Sequence, residues 1–281
     1  MNKNSSGYTL TFASVMVVVV AVLLSLAAIG LGPYQAQNVK LEKMQNILAS
    51  IGVKSQAKEA EKIFSEYIKE QVVLNKKGER VTDDISAFDI DLKKELDKTK
   101  TGKADEQLFP LFVFNKNGKL YYIIPVRGKG LWGPIWGYVA LEGDMNTVHG
   151  ASFGHKGETP GLGAEINTEE FQKQFVGKKI FDESGNFVSV KVVKGGAAPE
   201  DLHGVDAISG GTITSNGVTE MLKRTLSNYI PYFKTMNKAG GKVTAANEPK
   251  TIFISVCNCL LPIAHCHCPL TIDHCPLPID N

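Results

Sequence analysis

Residues 108–126 read LFPLFVFNKNGKLYYIIPV. Two apolar runs rich in aromatic and β-branched residues flank NKNG at 115–118. An Asn-Gly pair supplies the positive φ angles of a tight two-residue turn, so the stretch predicts a β-hairpin. Working outward, the Gly/Trp-rich GKGLWGPIWGYVALE follows at 128–142, then a strand around 147–153. FVSVKVV at 187–193 alternates as a further strand, and EEFQKQFVGKKI at 169–180 reads as a short helix. After residue 211 an apolar helical pattern runs through Val218, Met221, Leu222, Leu226, Tyr229 and Ile230. Hairpins mixed with scattered helices define an α+β class, with an antiparallel sheet and flanking helices.

Toward the N-terminus, residues 38–54 place Leu41, Met44, Ile47, Leu48 and Ile51 on one helical face, with Gly52 as a stop. A second amphipathic helix is expected from about Ser55 to Leu74, using Ala60, Ile63, Phe64, Tyr67, Ile68 and Val72. Residues 75–106 are polar, with FDIDL at 88–92 as a short strand candidate.

Further out still, no charged residue occurs between Lys3 and Lys40, and residues 8–32 are almost wholly apolar. About 20 residues cross a bilayer's hydrocarbon core, whereas the apolar region of a cleaved signal spans only about 7–15. The run is therefore expected to be an uncleaved membrane anchor. The lysines on either side do not decide its orientation. The resulting organisation is an anchor at 1–35, a helical lead-in at 36–106, a β-rich domain at 107–240 and a tail at 241–281.

That tail holds all five cysteines and repeats HCPLTID (267–273) as HCPLPID (274–280). Its Cys/His spacing fits no closed four-ligand metal site and prolines interrupt it, so an adventitious, disordered extension is expected and no metal is assigned. The 281-residue chain has a net charge of +2, with 43% hydrophobic and 21% charged residues. A basic nucleic-acid footprint is thereby excluded, and the body is free of cysteine.

Two stretches of the body are unusual. GHKGETPGLGAEI at 154–166 sets Gly161 and Gly163 around Leu162, letting backbone approach a flat or phosphorylated group beneath an apolar cap. A plain Pro-Gly turn is the competing reading. DAISGGTITSNGV at 206–218 crowds glycines and hydroxyls just ahead of a helix, where free amides and the positive dipole end attract phosphate. A simple helix cap is the alternative there. Trp132 either walls a ring-binding cleft or fills a hairpin core, and His155 is expected on the surface or in a loop.

Asp206-x-x-Ser209-Gly210-Gly211-Thr212 resembles the flavinylation motif D-x-x-(S/T)-G-A-T, with Gly211 in place of the usual Ala. Together with the GKGLWGPIWGY and ETPGLG blocks behind an anchor, it is similar to the C-subunit family of the Na+-translocating NADH:quinone reductase over about residues 8–236. The resemblance implies an FMN-binding domain with FMN joined covalently to Thr212 through a phosphoester. Glu158, Thr159, Leu162 and Gly163 would line the flavin. Ser209, Gly210 and Thr214 would flank the attachment, Asp206 would belong to the modification motif, and Trp132 would wall the ring. It further implies an electron relay from an iron–sulfur centre to the next flavin within a larger complex. The partners would be the other subunits and a flavin transferase, with the single-pass chain in a bacterial cell membrane and its soluble part periplasmic. Two other readings are the G-subunit of an Rnf-type ferredoxin:NAD oxidoreductase and a cofactor-free, membrane-anchored scaffold. Metal binding through the tail would be a third.

Overall fold

The computed structural model describes residues 5–82, 85–116 and 118–238. The Cys/His tail expected at 241–281, and Asn117 of the hairpin turn, lie outside the described residues. In chain order the elements are α1 (Ser6–Ala49), α2 (Ala57–Tyr67), β1 (Ile68–Asn75), α3 (Leu92–Asp97), β2 (Leu108–Lys116), β3 (Lys119–Lys129), β4 (Pro134–Leu141) and β5 (Val148–His155). They continue with α4 (Glu169–Lys173), β6 (Lys191–Val193), β7 (Gly204–Asp206), α5 (Thr212–Ser227) and α6 (Ile230–Lys238).

β1 to β5 form one antiparallel sheet in the order β1-β2-β3-β4-β5. The 108–126 stretch is its central hairpin, in register from Phe112↔Ile123 to Lys116↔Lys119, with Gly118 at φ +78° in the turn. Both faces of this sheet are covered, which is why β2 and β3 read as nearly unbroken apolar runs. Phe109, Leu111, Val113, Tyr122, Ile124 and Val126 point into a core shared with Val218, Met221 and Leu222 of α5 and Phe233 of α6. The alternate residues Phe112, Phe114 and Ile123 pack against Met44, Ile47 and Leu48 of α1 and Phe64 of α2. The period-2 side-chain alternation of a strand thus feeds two cores from one hairpin.

α1 is a single helix of 44 residues, about 66 Å long at 1.5 Å per residue. Ser5 caps it by accepting from the Tyr8 amide at 3.2 Å. Its apolar stretch is long enough to cross a membrane and none of it is buried, whereas Met44, Ile47 and Leu48 at its C-terminal end are in the core. Anchor and first lead-in helix are therefore continuous, with Pro33 inside the helix. Lys43 fixes the docked end: its ammonium donates to the Phe88 carbonyl and lies 4.3 Å over the Phe88 ring.

Three local expectations are corrected. The second helix stops at Tyr67, and residues 68–75 become the edge strand β1. The spacing of Tyr67, Ile68 and Val72 suits a helix, but Val72 pairs with Leu111 and Val73 with Pro110 along β2. Tertiary pairing of a β-branched run overrides the local pattern. FDIDL is not a strand: Asp91 accepts from the Lys93 amide at 2.9 Å and caps α3, while Ile90 is buried against the α1 side of the sheet. FVSVKVV forms a strand only at 191–193, pairing in parallel with 204–206, because the chain turns at Ser189 with φ +64°.

Candidate functional site

Three loops converge at the N-terminal end of α5. Residues 130–133 make the tight connection between β3 and β4, closed by Gly130 N–H donating to the Gly133 carbonyl at 2.8 Å. Residues 156–163 follow β5, and residues 207–211 lead from β7 into α5. Glu158 joins them. It is 5% exposed. One carboxylate oxygen accepts from the Trp132 amide at 2.9 Å, and the other accepts from the Thr214 hydroxyl of α5 at 2.6 Å. Its own amide donates to His155 Nδ1 at 3.1 Å, so His155 serves the loop.

Burial by itself would raise the Glu158 pKa. The Thr214 hydroxyl and the amides of Trp132, Leu131 and Gly133 outweigh it and hold the carboxyl below the usual glutamate range. A depressed carboxylate contributes stability above its unfolded pKa, near 4.3, and loses it as pH falls through the folded value. Wild-type thermal stability should accordingly drop more steeply below about pH 4 than that of Glu158→Gln. Equal slopes in a melting series across that range would contradict the assignment.

The glycines mark where the loops touch. A Cβ on Gly210, whose φ is +71°, would lie 2.5 Å from the Leu162 side chain. Leu162 and the 210–211 turn are thereby in direct contact. Thr159 is exposed, and its carbonyl accepts from the Leu162 and Ala164 amides at 3.1 Å each to close the PGLG turn. Gly163 is buried against Thr214 and Glu158.

Thr212 is exposed and is the first residue of α5; the residue before it, Gly211, places no side chain over the helix end. Ser209 and Gly210 are also exposed. Thr214 is 2% exposed and committed to Glu158. Asp206 stands apart, its carboxylate accepting from the Ala197 amide at 2.8 Å and its amide donating to Gln174.

Around this helix end four large apolar side chains face solvent: Trp132 at 69%, Ile213 at 57%, Leu131 at 49% and Leu162 at 40%. Trp132 is therefore not hairpin core. Leu131 and Ile213 escaped the sequence reading because they are ordinary apolar residues beside the more conspicuous Trp132 and Thr212. Clustered exposed apolar side chains mark a surface that something covers. An uncapped helix N-terminus suits a phosphate, and this apolar rim suits a flat ring. A cavity of about 410 Å³ lies elsewhere, on the α1 side of the sheet, and is lined by Phe112, Trp136 and Tyr138. Among the described residues no His/Cys/Asp/Glu cluster could hold a metal.

Gly211 stands where the motif usually has alanine. A Cβ there would meet Ile208 at 3.0–3.1 Å, a contact a partly buried side chain can relieve by small movement. Gly211→Ala should therefore lower the melting temperature by no more than about 2–4 °C, equivalent to about 1 kcal/mol. A larger drop in a thermal melt would mean that Ile208 cannot yield.

An antiparallel sheet covered on both faces carries an N-terminal membrane-length helix and three loops that meet at an uncapped helix N-terminus, and residues 130–227 match the FMN-binding domain family, so the chain is of the FMN-binding-domain class. The chain is 37% identical over 211 residues to the Na+-translocating NADH-quinone reductase C-subunit of Vibrio vulnificus, covering 71% of this chain and 82% of that one. It is 34% identical over 255 residues to the C-subunit of Neisseria meningitidis serogroup B, covering 86% and 98%. The crystal structure of the C-subunit from Parabacteroides distasonis superposes with a TM-score of 0.64 at 47% identity, covering 71% of this chain and 95% of that one. That of Shewanella oneidensis NqrC gives 0.61 at 29% identity, covering 72% and 99%. The chain belongs to the C-subunit family of the Na+-translocating NADH-quinone reductase.

Proposed function

We propose that this chain carries FMN as a phosphoester on the Thr212 hydroxyl and serves as an electron relay in a Na+-translocating NADH:quinone reductase. The observation that carries the reading is an exposed threonine at an uncapped helix N-terminus, ringed by Leu131, Trp132, Leu162 and Ile213. The bound flavin would supply reversible electron transfer. The chain's own residues would hold and aim it. The α5 amides would face the phosphate, Ser209 and Gly210 would flank the attachment, and Leu162 with Trp132 would border the ring. Glu158, Gly163 and Thr214 act from beneath, by fixing the loops. Thr159 closes the PGLG turn through its backbone, and Asp206 would be read by the flavin transferase as part of the motif.

A covalent tether suits an exposed relay, because it replaces a dilution-sensitive equilibrium with a fixed high local concentration. The α1 anchor would cross the membrane once and hold the domain on the periplasmic side, next to the other subunits, between an iron–sulfur centre and the following flavin.

The test is intact mass and in-gel fluorescence of the denatured protein after co-expression with a flavin transferase. A mass gain of one FMN that survives denaturation is expected. An unmodified mass beside an active transferase overturns the covalent reading and leaves the 206–218 stretch as a helix lead-in.

A further inference from the structure

We propose that Glu158 acts as a buried, uncompensated negative charge that lowers the reduction potential of the flavin held above it, a positioning role that rests on the flavin reading just given. Every contact made by its carboxylate comes from a neutral donor: the Trp132, Leu131 and Gly133 amides and the Thr214 hydroxyl. Among the described residues no lysine, arginine or histidine forms an ion pair with it. Dipoles stabilise the charge without cancelling it, so a net −1 remains on a side chain that is only 5% exposed.

Backbone packs closely against the carboxylate at two glycines. A Cβ on Gly130 would lie 2.5 Å from one carboxylate oxygen, and a Cβ on Gly163 would lie 2.6 Å from the other and 2.5 Å from the Thr214 hydroxyl. Two loops and a helix close around this one group. Leu131 and Trp132, whose amides face the carboxylate, and Leu162 and Ile213, next in chain to Gly163 and Thr214, expose apolar side chains at the site. The charge therefore sits directly under the surface that would border the ring. Reduction adds electrons to the ring, and a fixed negative charge disfavours that step.

Glutamine separates charge from shape. Its oxygen keeps the amide donors, and its amide nitrogen donates to the Thr214 oxygen once that hydroxyl turns round. Thr214→Val does the opposite, keeping the charge and removing one of the dipoles that soften it.

The experiment is a spectroelectrochemical titration of the full-length, detergent-solubilised chain, co-expressed with a flavin transferase and read on the flavin-loaded fraction. Glu158→Gln is expected to move the midpoint potential upward and Thr214→Val to move it downward. An unchanged or lowered potential in loaded Glu158→Gln overturns the proposal. Where Glu158→Gln yields no folded protein, Thr214→Val decides: a lower potential supports the role, and an unchanged or higher one overturns it. Wild-type protein that takes up no flavin at all is a separate outcome. It overturns the flavin reading itself and this inference with it.

Discussion

Thr212→Ala is expected to abolish covalent flavin completely while leaving the protein folded. The loss is all-or-none because the ester needs a hydroxyl oxygen at the helix end, and the neighbouring hydroxyls cannot replace it. Thr214 is buried and its hydroxyl donates to Glu158 at 2.6 Å. Ser209 lies on the far side of the Gly210–Gly211 turn, whose left-handed residue sends the chain in another direction. Thr212 itself is exposed, so removing its side chain should change stability by no more than about 0.5 kcal/mol. Intact mass and denaturing-gel fluorescence read the loss, and a parallel melt checks the fold. Thr212→Ser keeps the oxygen and should restore the modification. Fluorescence persisting in the Thr212→Ala band would place the flavin on a different residue.

Gly217→Ala is the second large effect, and its sign runs against helix propensity. In an exposed helix interior this change gains about 1 kcal/mol. Here a Cβ would lie 2.3 Å from the Lys129 carbonyl oxygen, with the Ile135 side chain 3.5 Å away. The obstacle is backbone of β3, which no rotamer change can clear. At the same crossing a Cβ on Gly128 would meet Met221 at 2.7 Å, so helix and strand approach through two small residues. α5 would have to lift from the sheet, unseating Val218, Met221 and Leu222 from the core. Overpacking of this kind costs about 1–3 kcal/mol and outweighs the propensity gain at a site where nothing nearby can give. The melting temperature should fall by several degrees, and flavin loading should fall with it, because α5 carries both Thr212 and the Thr214 contact to Glu158. A rise in melting temperature would show that α5 and β3 are less tightly seated.

Much of the candidate site was legible in the chain because its unusual backbone is local. The glycines at 210 and 211, the hydroxyl at 212 and the PGLG turn each mark unusual backbone within a few residues. What the sequence did not reveal is that Glu158 points inward. As part of ETPGLG it reads like a residue that faces a ligand, and only the fold brings Thr214 and the 130–133 turn onto its carboxylate. Gly217 is similar: in SNGV it looks like a weak spot in a helix, and the strand that makes it necessary ends far earlier in the chain, at Lys129.

By itself the sequence determined the membrane-length helix, the central hairpin and the α+β class. These follow from uninterrupted apolarity, a turn dipeptide and side-chain periodicity, all set by neighbours in the chain. Tertiary structure decided that 68–75 is a strand, that 88–92 is a turn leading into a cap, and that 187–190 does not extend β6. The spacing of Tyr67, Ile68 and Val72 suits a helix on local grounds. The exposed edge of β2 offers the backbone hydrogen bonds and the apolar face that settle the choice.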